Sequence, residues 1–119
     1  MTADMKAPMG HVVCVVLSTA PSQQVADELA HALVESGVAA CVNVVPGVRS
    51  HYRWEGRVQT DLECLLVIKT TRDRYEALES ALRQRHPYEV PEIVALDVAA
   101  GGPPYLHWVV DSTAPVKKA

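Results

Sequence analysis

The chain predicts an α+β domain: a four-stranded antiparallel sheet built in β-α-β-β-α-β order, with both crossing helices on one face and a further helix at the C-terminal end. Three observations predict it. Apolar, valine-rich runs at residues 11–18, 39–45, 65–68 and 93–96 read as strands. Two of the intervening stretches carry apolar residues at helical spacing. Between the second and third runs lies a long alternating segment with a turn signal at Glu55-Gly56, which joins those strands as a hairpin. Such a split β-α-β pair gives an antiparallel sheet with both helices on the same side.

Composition sets the outer bounds. With 119 residues, the chain fits one domain with a sizeable core. A net charge of −3 with no block of like charges argues against a nucleic-acid footprint. The longest strongly apolar run, residues 12–17, falls far short of the ~20 residues of a membrane span, so no membrane partner is expected. It is also short for a signal segment. Cys14, Cys41 and Cys64 sit inside apolar runs, which reads as buried reduced thiols in a cytoplasmic protein. Residues 1–10 are expected to form a loose leader, 11–112 the domain, and 113–119 a polar tail.

The elements follow in order. Residues 11–18 form the first strand, buried on both faces. Pro21-Ser22 opens a helix whose stripe is Val25, Leu29, Ala32 and Leu33, and Gly37 ends it. Residues 39–45 begin the second strand, and Pro46-Gly47 breaks or bulges it. Beyond, Val48, Ser50, Tyr52 and Trp54 share one parity, and Arg49, His51 and Arg53 the other. The chain returns from residue 57 to 70, so the hairpin arms approach 15 residues, about 50 Å at ~3.3 Å per residue. That is longer than a domain of this size can cover, and another copy of the chain is the simplest partner. Thr70-Thr71-Arg72-Asp73 fits a capping box ahead of a helix over residues 72–85 on the stripe Tyr75, Leu78 and Leu82. Residues 92–99 form the fourth strand, and Pro103-Pro104 opens the last helix with Tyr105, Leu106, Trp108 and Val109 on its apolar side. With both helices on one face, the opposite sheet face needs covering by neighbouring subunits.

Chemistry concentrates in His86-Pro87-Tyr88-Glu89-Val90-Pro91-Glu92-Ile93. Pro87 stops the helix, since the residue before a proline leaves the α region, and Pro91 stiffens the mouth of the next strand. This short connector displays an imidazole, a phenol and two carboxylates. His86 is a metal ligand by type, and with Cys41 or Glu92 nearby it could hold Cu(II) or Zn(II). Neither C-x-x-C nor H-x-x-x-H spacing supports it, and a histidine there equally satisfies a helix end or a subunit contact. Cys41 also suits a core position, and Glu89 and Glu92 also suit a solvated surface. Tyr52, Trp54, Tyr88, Tyr105 and Trp108 could wall a pocket or pack at an interface, and Lys69 could meet an anion at a cleft. No triad, nucleophile elbow or glycine-rich phosphate loop stands in the chain, so neither an enzyme nor an organic cofactor is expected.

The combination of Ala40-Cys41-Val42-Asn43, Ser50-His51-Tyr52-Arg53-Trp54-Glu55-Gly56, Ile68-Lys69-Thr70, the His86–Glu92 connector and Tyr105-Leu106-x-Trp108 resembles the CutA family, named for divalent-cation tolerance. The resemblance spans roughly residues 12–110. It implies a ferredoxin-like homotrimer whose strands extend across subunits, a link to copper and other divalent metal ions, and no established catalytic reaction. Weakly held Cu2+ at His86, Cys41 and Glu92 in an intersubunit cleft is the expectation that follows. Some members carry a cysteine just before the Thr-Ala-Pro segment, and this chain has Ser18 there, so a thiolate ligand at that position is lost. The alternative is a regulator that binds a small anionic or nucleotide ligand at the equivalent cleft, as PII-type signalling proteins do.

Overall fold

The computed structural model describes residues 12–115. The expected leader, 1–10, and most of the expected tail lie outside the described residues. Strand β1 (Val13–Ala20) leads into helix α1 (Gln23–Glu35), followed by β2 (Cys41–Trp54), β3 (Arg57–Thr71), helix α2 (Arg72–Arg85), β4 (Val94–Asp97) and helix α3 (Pro103–Thr113). The sheet order is β2-β3-β1-β4, with all neighbours antiparallel. This is the ferredoxin-like arrangement that the element order predicts.

Alternation along β1 divides the sheet into two faces. Cys14, Val16 and Ala20 join Leu66 and Ile68 of β3 in a core beneath Ala26, Leu29 and Leu33 of α1 and Leu78 and Leu82 of α2. Val13 points the other way, into a smaller cluster with Ala40, Leu106 and Val109. Helix α3 therefore covers one end of the face that the sequence reading left wholly to neighbours. The remainder stays open: Val45, Val94 and Leu96 are each more than 40% exposed.

Local signals explain most boundaries. Ser22 caps α1 by accepting a hydrogen bond from the Val25 N–H at 3.2 Å. The helix ends at Gly37, whose φ of +81° suits a residue without Cβ. The expected capping box at α2 does not form. Thr71 makes no side-chain cap, because β3 stays paired to β1 through Thr71 and the strand runs straight into the helix. Thr70, fully buried, donates its hydroxyl to the Val38 carbonyl at 2.7 Å instead. Strand β4 is shorter than expected, since only Val94–Asp97 pair with β1.

The β2–β3 hairpin dominates the outline, 53 × 33 × 22 Å. Its two-residue turn has positive φ at both Glu55 (51°) and Gly56 (79°), matching the twist of the strands. A bulge lies between Val45 and Val48, where Pro46-Gly47 interrupts the register. One extra residue switches the parity: Val42 and Val44 pack under the helices, whereas Val48, Ser50, Tyr52 and Trp54 lie on the opposite face.

Ser18 also has a stability consequence. It is fully buried on the helix side of β1, and its hydroxyl has no hydrogen-bond partner among the described residues. Ser18→Ala should therefore raise stability by about 1 kcal/mol in guanidinium unfolding, by removing an orphaned polar group. A loss of stability would show that the hydroxyl is satisfied.

Candidate functional site

The connector that follows α2 is pinned from both sides. Helix α2 stops at His86, whose N–H still bonds the Leu82 carbonyl while its ψ of 138° is extended, as Pro87 requires. The imidazole turns inward and is 8% exposed. Nε2 lies 2.7 Å from the Thr19 carbonyl oxygen, so it carries the proton and donates. Nδ1 accepts the Tyr88 N–H at 3.1 Å. One neutral tautomer satisfies both contacts. The Tyr88 ring packs 4.8 Å from the imidazole, and its hydroxyl donates to Glu63 Oε2 at 2.7 Å. A continuous chain of contacts thus runs from the end of β1 through His86 and Tyr88 to β3.

Between this connector and the hairpin lies an open cleft of about 800 Å³. Tyr52, Trp54 and Arg49 come from β2, Asp61 and Glu63 from β3, and Tyr88, Glu89 and Glu92 from the connector. Tyr52 donates its hydroxyl to Asp61, beside the Tyr88–Glu63 pair. Asp61 and Glu63 are two residues apart on one face of β3, so two phenol–carboxylate pairs stand side by side. Burial pushes the Tyr88 phenol far up, with the Glu63 carboxylate adding to the effect. The hydrogen bond to Asp61 raises Tyr52. For a phenol, a raised folded-state pKa means that the native state holds its proton more tightly. The resulting stability is full below the unfolded value near 10 and is lost as pH climbs above it. Spectrophotometric titration should find Tyr88 ionising last of the four tyrosines, together with unfolding. Reversible ionisation of all four tyrosines near pH 10 in the folded protein would contradict this placement.

The expected site residues separate into groups. Tyr52, Trp54, Tyr88, Glu89 and Glu92 line the cleft together. His86 stands behind it, with both nitrogens engaged. Cys41 lies elsewhere: it pairs with Lys69, opposite Val15, four positions along β1 from Thr19, about 13 Å at ~3.3 Å per residue. His86, Cys41 and Glu92 are therefore not brought together, and among the described residues no three His, Cys, Asp or Glu side chains converge to hold a metal. Lys69, Tyr105 and Trp108 join Cys41 at the α3 end of the sheet. There the Lys69 ammonium donates to Asn43 Oδ1, the Cys41 thiol lies 3.8 Å from the same oxygen, and the Tyr105 and Trp108 rings are 5.6 Å apart. Burial and the neighbouring Cys41 raise the Tyr105 phenol. All three cysteines are free. The sequence reading missed Asp61 and Glu63. Glu63 is only 8% exposed and immediately precedes the apolar run Cys64-Leu65-Leu66, a signal that could have exposed it.

Comparison with known proteins agrees with this architecture. The family described as CutA1 divalent ion tolerance protein matches residues 14–112. A divalent-cation tolerance protein CutA from Thermus thermophilus is 52% identical over 99 residues, covering 83% of this chain and 96% of that protein. Protein CutA of Mus musculus is 46% identical over 101 residues, which is 85% of this chain but 57% of the mouse protein. Among solved structures, CutA1 from Oryza sativa superposes with a TM-score of 0.86 at 41% identity, covering 91% of this chain and 99% of that one. With its fold, its motifs and nearly its whole described length in agreement, the chain belongs to the CutA1 divalent ion tolerance protein family.

Proposed function

We propose that this protein binds divalent cations, Cu2+ among them, weakly and without catalysis, at the cleft between hairpin and connector, and that it works as a cytoplasmic homotrimer in divalent-cation tolerance. The observation that carries the reading is the lining: Asp61, Glu63, Glu89 and Glu92 face one arginine, Arg49, so the cleft attracts cations and repels anions. The names of its relatives point the same way. Oxygen ligands from Asp61, Glu63 and Glu92 suit a divalent ion, which would supply charge neutralisation there. Their spread among the described residues accounts for weak binding by a single copy and leaves room for completion by a neighbour. The open apolar strip of Val45, Val94 and Leu96 and the long hairpin support the trimer.

A melting screen of divalent chlorides against nucleotides tests the reading, since a ligand at a hundred times its Kd stabilises by about 2.7 kcal/mol. Copper and zinc should raise the melting temperature, and nucleotides should leave it unchanged. The reverse result would favour the regulator of small anions.

A further inference from the structure

We propose that His86 is a pH-sensitive latch: its neutral imidazole fastens the connector wall of the cleft to β1, and protonation releases that wall. The latch is independent of what the cleft binds and can be read without any ligand.

A carbonyl oxygen can only accept a hydrogen bond, and a backbone N–H can only donate one. His86 stands between one of each. Nε2 is 2.7 Å from the Thr19 carbonyl oxygen, and Nδ1 is 3.1 Å from the Tyr88 nitrogen. The neutral ring with its proton on Nε2 meets both demands. The imidazolium carries a second proton on Nδ1, aimed at the Tyr88 N–H, donor against donor. The Thr19 contact survives that change and gains from the charge, whereas the Tyr88 contact is lost. At 8% exposure, water does not relieve the conflict while the connector stays down. Protonation therefore leaves the ring on β1 and frees the main chain of Tyr88.

The groups around the ring do not remove the conflict. From the connector, the Tyr88 ring packs 4.8 Å away, and its raised phenol keeps its proton wherever imidazoles titrate. From β3, Glu63 meets the Tyr88 hydroxyl, and His86 forms no ion pair among the described residues. Strand β1 offers only main chain at Thr19, since its one ionisable side chain, Cys14, lies at the other end of the strand. Arg85, the last residue of α2, lines a groove with Asp27, His31 and Glu35 of α1. Asp61, Glu89, Glu92 and Arg49 line the cleft, behind which His86 stands. Since the added proton binds only the released form, the connector is fastened above the ordinary imidazole range, near ~6.5, and lets go as pH falls through it. Tyr88 is then tethered by its hydroxyl alone, and the wall that carries Glu89 and Glu92 loosens.

The test is amide hydrogen exchange, with imidazole nitrogen shifts by NMR, on the full-length protein from about pH 7.5 to about pH 5. The shifts should show His86 protonated on Nε2 alone at the upper end and charged at the lower. Over the same range the protection factor of the Tyr88 amide should fall about tenfold, while amides of β1 and β3 keep theirs. His86→Gln, whose donor and acceptor do not titrate, should protect Tyr88 equally at both ends. An imidazole that takes up its proton with no loss at Tyr88 overturns the proposal, as does one that stays neutral throughout. An equal loss in His86→Gln overturns it too. The first two results come from the wild type alone and do not depend on the variant folding.

Discussion

Replacing His86 with alanine should destabilise the protein by about 3 kcal/mol while leaving the cleft carboxylates in the chain unchanged. The magnitude comes from the two partners the imidazole satisfies. Without it, the Thr19 carbonyl and the Tyr88 N–H lose hydrogen bonds in a mostly buried setting, at ~1–3 kcal/mol for each orphaned group. The connector would also lose its attachment to β1, so Tyr88 would hold Glu63 less firmly. His86→Gln keeps a donor and an acceptor and should cost less. Guanidinium unfolding at fixed protein concentration measures both variants. An unfolding midpoint unchanged in His86→Ala would mean that the imidazole does not fasten the connector.

Leu96→Glu should break the assembly while leaving the subunit fold intact. Leu96 faces away from α1 and α2, beside Val94 on β4, and is 49% exposed, so the single chain has room for a carboxylate there. In a trimer that buries this strip, the same carboxylate would be desolvated without a partner, at a cost of several kcal/mol per ion. Light scattering should give about three times 12.9 kDa for the wild type and close to 12.9 kDa for the variant, with native circular dichroism in both. A monomeric wild type, or a variant of unchanged mass, would show that the strip is not the contact.

Much of the fold was legible because periodicity and punctuation agreed. The valine runs, the caps at Ser22 and Gly37, the Glu55-Gly56 turn and the two prolines of the connector each fixed an element locally. The cleft was half legible. Tyr88, Glu89 and Glu92 stood out because a linker that needs only to turn would not require them, and Tyr52 and Trp54 because they shared a parity near a hairpin tip. Asp61 and Glu63 did not stand out, because nothing local says which face of β3 meets the connector. That is decided by the contact of the connector's Tyr88 with Glu63, 25 residues away in the chain. The role of His86 was hidden for the same reason: its partner Thr19 is 67 residues away in the chain. Residue type alone groups Lys69, Tyr105 and Trp108 with the cleft, whereas Lys69 lies six positions along β3 from Glu63, about 20 Å at ~3.3 Å per residue.

The reading of the cleft as a cation site turns on its carboxylates, and Cu2+ titration of the wild type beside the Asp61→Asn/Glu92→Gln double variant tests this most directly. Both side chains are exposed, so the substitutions should leave the unfolding midpoint nearly unchanged. The wild type should bind copper, and the double variant at least tenfold more weakly. Equal affinities in the two proteins would contradict the account and place the metal elsewhere in the molecule.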